Sequence, residues 1–174
     1  MGINPKLLRE SVQRWEMMLT GEYKNTIDEK GRILIPSRLR SSIAGNTLIV
    51  TRSVEKNLWM MLPDMWKKVK EEITSGPGAM FISQSRTLQR RIIAPAQECE
   101  IDKAGRINIP PGLRDSVDLQ PKQEAVILGI DTYLELWNTD EYSAFLERSE
   151  QEFAEASESL GKKLEARYGQ ENGK

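Results

Sequence analysis

Two short segments of this 174-residue chain place an arginine four residues after an aspartate, with a glycine directly before the arginine. Residues 28–32 and 102–106 both have the pattern Asp-x-x-Gly-Arg. An aspartate at the start of a turn accepts backbone N–H groups, and a glycine supplies the positive φ of a tight reversal. An arginine beside such a turn can bind a phosphate or a guanine edge through its planar guanidinium. The predicted turn-forming residues, which would orient Arg32 and Arg106, are Asp28, Gly31, Asp102 and Gly105.

The same residues allow plainer interpretations. Arg32 and Arg106 can form salt bridges with Asp28 and Asp102, and such a bridge would still leave each guanidinium oriented for an external anion. The two aspartates could instead be offered as a catalytic carboxylate pair. Turn formation explains both aspartates without catalysis, so we favour the turn role.

Histidine is absent from the sequence, and Cys99 is the single cysteine. Zinc sites built from cysteine and histidine, Ser-His-Asp triads and Cys-His catalysis are therefore excluded. An intrachain disulfide is excluded as well, and a predicted strand around Cys99 favours a structural role for it. Carboxylate-based or lysine-based chemistry remains open, but no motif supports it. We predict a protein that is not an enzyme, with no catalytic residues, no metal site and no cofactor.

Charge is unevenly distributed along the chain. The net charge is −1 and the pI is about 5.7, which counts against a simple polyanion-binding protein. Residues 1–134 contain 20 lysines and arginines against 16 acidic residues, whereas residues 135–174 contain 5 against 10. An acidic C-terminal region therefore hides a mildly basic body. No apolar run reaches the roughly 20 residues of a membrane helix, and no signal peptide is recognisable, so we expect a cytoplasmic protein.

A repeat organises the sequence. Residues 27–36 recur at 101–110, an offset of 74, and both copies continue into a Leu-Arg pair and two apolar segments. Each copy is predicted to fold as strand, turn, strand, short helix and hairpin. Isoleucines occupy alternate positions of the strand after each turn, so the arginine that begins it should point away from the core. These isoleucines are Ile33, Ile35, Ile107 and Ile109, and the Leu-Arg pairs are Leu39-Arg40 and Leu113-Arg114.

The predicted fold class is α+β. A single four-strand module would be marginally stable, so we expect two tandem modules that form one intertwined, β-barrel-like body with flanking helices. At the N-terminus, helical spacing relates Leu8, Val12, Trp15 and Leu19. The expected divisions are a helical N-terminal extension (1–18), the first module (19–66), a helical connector (67–92) that is interrupted at residues 75–78, the second module (93–140), and an acidic amphipathic C-terminal helix and tail (141–174) that frays beyond Arg167.

The duplicated Asp-x-x-Gly-Arg strand, the Ile-Pro that follows it and the Leu-Arg of the short helix resemble the MraZ family. More broadly, they resemble the SpoVT/AbrB-like superfamily of swapped β-hairpin DNA-binding domains. The similarity covers about residues 19–165. Family members usually begin near Met17 or Met18, so residues 1–16 are either an extra helix at a subunit contact or the result of an upstream start. Further segments in family order are Gly21-Glu22-Tyr23, Gln89-Arg90-Arg91 and Leu136-Trp137.

This resemblance implies a sequence-specific transcriptional regulator that acts on the promoter of the division and cell-wall gene cluster through direct repeats. It also implies a nucleoid-associated homo-oligomer, in the form of a ring, whose partner is double-stranded DNA. In similar proteins the motif arginine and the helix arginine contact DNA, and the turn lysines, although at different motif positions, would contact the phosphate backbone. The DNA-binding residues implied by position are Arg32, Arg106, Arg40, Arg114, Lys30 and Lys103.

Alternatives remain at two levels. Exposed helix arginines such as Arg40 and Arg114 often only solvate the surface of a protein. The AbrB-like fold also serves as the dimerisation half of antitoxins, so the alternative function is a protein-interaction or oligomeric scaffold module whose acidic C-terminal helix binds a partner. The four tryptophans are interpreted as core or interface anchors rather than base-stacking platforms; they are Trp15, Trp59, Trp66 and Trp137.

Overall fold

The computed structural model describes residues 19–76 and 78–169. The first copy of the repeat contains β1 (Leu19–Thr26), β2 (Arg32–Leu34), α1 (Ser37–Arg40), β3 (Thr47–Arg52) and β4 (Asn57–Met61). The connector contains α2 (Pro63–Thr74), a 3₁₀ turn (Ala79–Phe81), α3 (Ser83–Leu88) and a π-helical segment (Gln89–Ile93). The second copy contains β5 (Gln97–Glu100), β6 (Arg106–Asn108), α4 (Pro111–Asp115), β7 (Glu124–Asp131) and β8 (Tyr133–Asn138).

Both copies therefore contain the predicted order of strand, turn, strand, short helix and hairpin. The connector is helical on both sides of its glycine-rich break, as its apolar spacing predicts. Its C-terminal end is tied to the first copy, because the hydroxyl of Thr51 in β3 donates a hydrogen bond to the carbonyl oxygen of Ile92. Both residues are buried, so this bond satisfies polar atoms that water cannot reach.

Strands are exchanged between the two copies. The larger sheet has the order β1-β7-β8-β4-β3-β5, and all its pairs are antiparallel. The first strand of each copy therefore lies beside the hairpin of the other copy, while β4 and β8 join the two hairpins. A second, two-stranded sheet pairs β2 with β6. Each of these sheets draws strands from both copies, which means that neither copy completes a sheet by itself.

The predicted barrel-like closure is not confirmed. Along the part of the chain that the structure describes, β1 and β5 are the two edges of an open six-stranded sheet. The β2 and β6 strands are three residues long and pair with each other, so they do not bridge those edges. The α+β class itself is found, with helices between and after the strands.

Apolar side chains from both copies form one core. The isoleucines that follow the two motif arginines in sequence are fully buried in this core. Because side chains alternate along a strand, the arginines point outward, as predicted. Trp137 is buried as well, and Trp59 packs edge-to-face on Tyr133 with ring centroids 6.0 Å apart. Core residues contributed by the two copies include Ile27, Ile33, Ile35, Leu48, Ile107, Ile109 and Leu136.

The helical spacing at the N-terminus is misleading for Leu19. This residue begins β1, opposite Asp131 of β7, and its side chain is buried in the core. Pairing with a distant strand, which local spacing cannot report, decides its conformation. The other residues of that predicted helix, Leu8, Val12 and Trp15, lie outside the described residues, as do the rest of 1–18, Pro77 and the tail at 170–174.

The residues from Asp140 onward form a separate compact unit. The single helix predicted here consists of two, α5 (Thr139–Arg148) and α6 (Glu150–Gly169). Between them, the hydroxyl of Ser149 donates to the carbonyl of Phe145 at 2.6 Å, a bond to the preceding turn that bends helices. Neither these helices nor the others in the described ranges combine the length and apolar character needed to cross a membrane.

Candidate nucleic-acid interface

The two turns have the same hydrogen bonds. In the first, the Asp28 Oδ1 atom accepts the N–H groups of Lys30 and Arg32, each at 2.9 Å. The N–H of Gly31 donates to the carbonyl of Asp28 at 3.0 Å, and Gly31 has a φ of +77°. A residue with a side chain would be strained at this φ. In the second turn the equivalent residues are Asp102, Ala104, Gly105 and Arg106, with the same 2.9 Å bonds and a φ of +81° at the glycine.

The β2–β6 pairing brings the two motif arginines onto one surface. Arg32 lies opposite Asn108 and Arg106 lies opposite Leu34, and residues directly opposite each other in an antiparallel pair share a face. The paired isoleucines between them point the other way, into the core. The Arg32 and Arg106 side chains keep 27% and 39% of their surface exposed. Arginines that are 74 positions apart in sequence are therefore presented side by side.

The carboxylate of Asp102 lies between the two guanidiniums. Arg32 Nε and Nη2 are each 2.8 Å from Asp28 Oδ2, and Arg32 Nη1 is 3.8 Å from Asp102 Oδ2. Arg106 Nε is 3.4 Å from the same oxygen of Asp102. Arg32 is therefore held by two carboxylates, whereas Arg106 is held by one at a longer distance. The intramolecular salt bridges are present, and each arginine still keeps part of its surface in solvent.

Both turn aspartates are stabilised as carboxylates. The pKa of Asp28 is lowered to about 2, first by the hydrogen bond from the Arg32 backbone N–H and then by the Arg32 side chain. The pKa of Asp102 is also lowered, mainly by the backbone N–H of Arg106. A carboxyl group that acts as a general acid near neutral pH needs a raised pKa. These shifts go the other way, so they favour a role in orienting the arginines over proton transfer.

The helix arginines lie against the turn glycines of the opposite copy. Arg40 Nε donates to the carbonyl of Ile35 at 3.0 Å, and Arg114 Nε donates to the carbonyl of Ile109 at 3.1 Å. A Cβ atom added to Gly105 would lie 2.5 Å from Arg40 Cζ. One added to Gly31 would lie 2.8 Å from Arg114 Nε. Each helix arginine therefore covers the other copy's turn, a positioning role that sequence reasoning missed because no local signal links these residues.

Two backbone hydrogen bonds complete this exchange. The N–H of Ile35 donates to the carbonyl of Gly105 at 2.9 Å, and the N–H of Ile109 donates to the carbonyl of Gly31 at 3.1 Å. Both glycines are buried. The turns are thus fixed by contacts from both copies, and the positive φ of each glycine would strain any residue with a side chain.

The turn lysines are exposed beside this surface. Lys30 and Lys103 lie at the tips of the first and second turns. Lys122, which no sequence pattern singles out, has its Nζ atom 3.0 Å from Oε1 of Glu29 in the first turn. That ion pair joins a loop of the second copy to the first turn. Leu34 and Asn108 share the outward face with the arginines, and no sequence pattern singles them out either.

The described residues give little support for a reactive thiol or a metal site. Cys99 is buried in β5, and burial raises the pKa of its thiol, which disfavours the reactive thiolate. Within residues 19–76 and 78–169, no three carboxylate, cysteine or histidine side chains are grouped as metal ligands.

Comparison with known proteins assigns the family. The MraZ protein family, whose description includes "antitoxin-like", matches residues 18–90 and 92–163 of the chain. The chain belongs to the MraZ family. The two matches divide it into two family domains, in agreement with the repeat, and together they span more than half of its length.

Relatives named transcriptional regulator MraZ cover most of the chain. The protein from Treponema denticola is 46% identical over 143 residues, covering 82% of this chain and 97% of the relative. Those from Treponema pallidum and Halothermothrix orenii are 39% and 38% identical, covering 81% and 83% of this chain and 93% and 99% of the relatives. The names of these relatives describe transcriptional regulators and not enzymes. Among solved structures, PHS018 from Pyrococcus horikoshii is 15% identical, with a TM-score of 0.32, covering 67% of this chain and 94% of that one.

Proposed function

We propose that this MraZ-family protein binds double-stranded DNA sequence-specifically through the outward face of the β2–β6 ribbon. The major groove of B-DNA is wide enough to admit a two-stranded β-ribbon. Arg32 and Arg106 share that face although they come from different copies, and this is the observation that carries the proposal. Exposed Lys30 and Lys103 flank it and would contact phosphates.

Each residue has a defined part in this proposal. The guanidiniums of Arg32 and Arg106 would hydrogen-bond the O6 and N7 atoms of guanine, oriented by Asp28 and Asp102. Arg40 and Arg114 would hold the turns in place through their Nε atoms. The remaining edges of these two guanidiniums would contact phosphates.

The proposal includes assembly into a homo-oligomeric ring. One subunit offers few basic contacts and carries net negative charge, so several linked copies are needed for strong binding to repeated DNA sites. Exposed apolar side chains in the connector support a subunit contact, since Met80 and Phe81 are 66% and 81% exposed. The proposed target is the promoter of the division and cell-wall gene cluster, read as direct repeats by a nucleoid-associated cytoplasmic protein.

The first test removes the two arginines. Arg32→Ala and Arg106→Ala should each weaken binding to the proposed promoter by about 1–3 kcal/mol per contact, multiplied across the subunits of an oligomer. Mobility-shift titrations at several salt concentrations would measure this, and loss of base-directed contacts should narrow the difference in affinity between the promoter and unrelated DNA. Arg167→Ala, at an exposed arginine of α6, controls for the change in net charge. Wild-type affinity in the double variant, with an unchanged melting temperature, would contradict the proposal.

A protein-interaction module of the antitoxin type is the second candidate. Helix α6 favours it, because Phe153 is 70% exposed and Leu160 and Leu164 are exposed on the same helix. The first half of α6 also carries Glu150 and Glu152, among other acidic residues, as would suit a basic partner surface. Failure of the wild-type chain to bind any promoter fragment, combined with stable self-association, would favour this candidate.

A further inference from the structure

The outward face of the ribbon carries four side chains. Arg32 and Leu34 belong to β2, and Arg106 and Asn108 belong to β6. The register places Arg32 opposite Asn108 and Leu34 opposite Arg106, so the face consists of two cross-strand pairs. In each pair an arginine from one copy lies beside a different kind of side chain from the other copy.

This face breaks the symmetry of the repeat. Arg32 and Arg106 are equivalent by the offset of 74, and so are Leu34 and Asn108. If the latter two were identical, a two-fold axis through the centre of the ribbon would relate the two pairs. Leucine and asparagine make the two halves chemically different, although the strands and turns beneath them are alike.

Packing explains neither residue. Leu34 is 42% exposed, and the core positions on either side of it are already filled by Ile33 and Ile35. Its backbone is fixed from outside the ribbon, since Asn25 Nδ2 donates to the Leu34 carbonyl at 2.7 Å. Asn108 is exposed at the end of β6, and asparagine is disfavoured in strands. The packing of the fold therefore does not account for the identity of either side chain.

Their chemistry matches base edges in the major groove. The carboxamide of asparagine can donate a hydrogen bond to N7 of adenine and accept one from the N6 amino group, as a bidentate pair. An apolar side chain such as leucine can contact the methyl group of thymine. We propose that Leu34 and Asn108 determine the DNA sequence preference of this protein. The Arg32–Asn108 pair reads a guanine with a neighbouring adenine, and the Arg106–Leu34 pair reads a guanine with a neighbouring thymine. This inference rests on the proposed DNA-binding function.

A consequence is that the sequence read by one subunit is not palindromic. The two arginines alone would read symmetric half-sites, because they are related by the pseudo-two-fold of the ribbon. Leu34 and Asn108 assign a different base preference to each half. The two arginines are also held differently, which makes the two halves of the face more unlike. Arg32 has two carboxylate neighbours and Arg106 has one.

Selection from a randomised duplex library tests the inference with the full-length chain. The wild-type protein should enrich a non-palindromic sequence. Leu34→Asn and Asn108→Leu each make the two pairs alike, so each should enrich a more palindromic sequence, with base preference changed tenfold or more at one position. The double variant L34N/N108L should recover a non-palindromic sequence. Val54→Asn, at an exposed loop residue outside the ribbon, is the matched control and should select as the wild type does.

A second variant separates recognition from packing. Asn108→Asp keeps the size of the side chain but removes the amide donor, so the preference for adenine should fall and that for cytosine should rise. Variants that select the wild-type sequence with unchanged preference would overturn the roles of Leu34 and Asn108 and leave the DNA-binding function standing. If the wild-type chain enriches no sequence, the proposed function fails and this inference fails with it.

Discussion

Asp28 and Asp102 decide how two arginines are presented to solvent. Each carboxylate accepts two backbone N–H groups through one oxygen and faces a guanidinium with the other. Turn geometry and arginine orientation therefore depend on the same side chain. An arginine oriented in this way loses less conformational freedom when it binds, which favours recognition of a fixed base edge.

Asp28→Asn should change how stability depends on pH. The folded-state pKa of Asp28, about 2, lies below its ordinary value of 3.8, so its carboxylate stabilises the fold above pH 3.8. That contribution is lost as the pH falls from about 4 towards 2. The variant should be less stable than the wild type at pH 7, and the difference should shrink as the pH approaches 2.

Urea unfolding across this pH range would measure the effect. Asp115→Asn, at an exposed aspartate of α4 outside the turns, controls for the loss of one negative charge. Parallel pH profiles for the wild type and Asp28→Asn would show that the carboxylate does not stabilise the turn.

At the scale of the elements, the pairing of β1 with β7 brings two glycines opposite each other. Gly21 is in register with Gly129, and a Cβ atom on Gly129 would lie 2.6 Å from the carbonyl oxygen of Leu19. The obstructing atom belongs to the backbone and cannot rotate away. Close approach between strands of different copies thus requires glycine at position 129.

Gly129→Ala should therefore destabilise the fold by about 1–3 kcal/mol, the usual range for overpacking. Gly112→Ala is the matched control, because no neighbouring atom lies within 4 Å of a Cβ there and the site is helical. Alanine is the better helix former, so the control should be neutral or slightly stabilising. Chemical denaturation would compare them, and equal effects would mean that β1 and β7 can separate at no cost.

At the scale of the whole molecule, both sheets and the core are built from both copies. One copy of the repeat by itself would have unpaired strands and a turn glycine that no arginine covers. The two turns are therefore expected to form together when the chain folds. The connector and α6 also carry exposed apolar side chains, among them Phe81 and Phe153. They are candidates for contacts between molecules rather than within one.

Phe81→Ser should reduce the solution mass of the protein, because it removes the largest exposed apolar side chain of the connector. DNA affinity should fall with it through lost multivalency, about 10²-fold or more. The comparison variant is F153S/L160S, which changes α6 alone. Light scattering and mobility shifts would measure both, and loss of assembly only in F153S/L160S would assign the subunit contact to α6.

Much of the site was predictable from local pattern. The Asp-x-x-Gly-Arg turns follow from short-range hydrogen bonding by aspartate and the φ of glycine, and the outward direction of Arg32 and Arg106 follows from alternation with buried isoleucines. These properties depend on neighbours within a few residues. They can therefore be predicted from the sequence alone, and the recurrence of the motif predicts the two modules.

Only the tertiary structure decided which elements meet. The alternation of apolar and polar residues along a segment cannot show that β2 pairs with β6 or that Arg40 covers Gly105. It also cannot show that Leu19 belongs to a strand, because each of these contacts involves a partner far along the chain. For the same reason the sequence could not give the strand order, and the barrel-like closure expected from it is not confirmed by the open sheet and the separate ribbon. The shared face of Arg32 and Arg106 exists because antiparallel pairing aligns residues 74 positions apart.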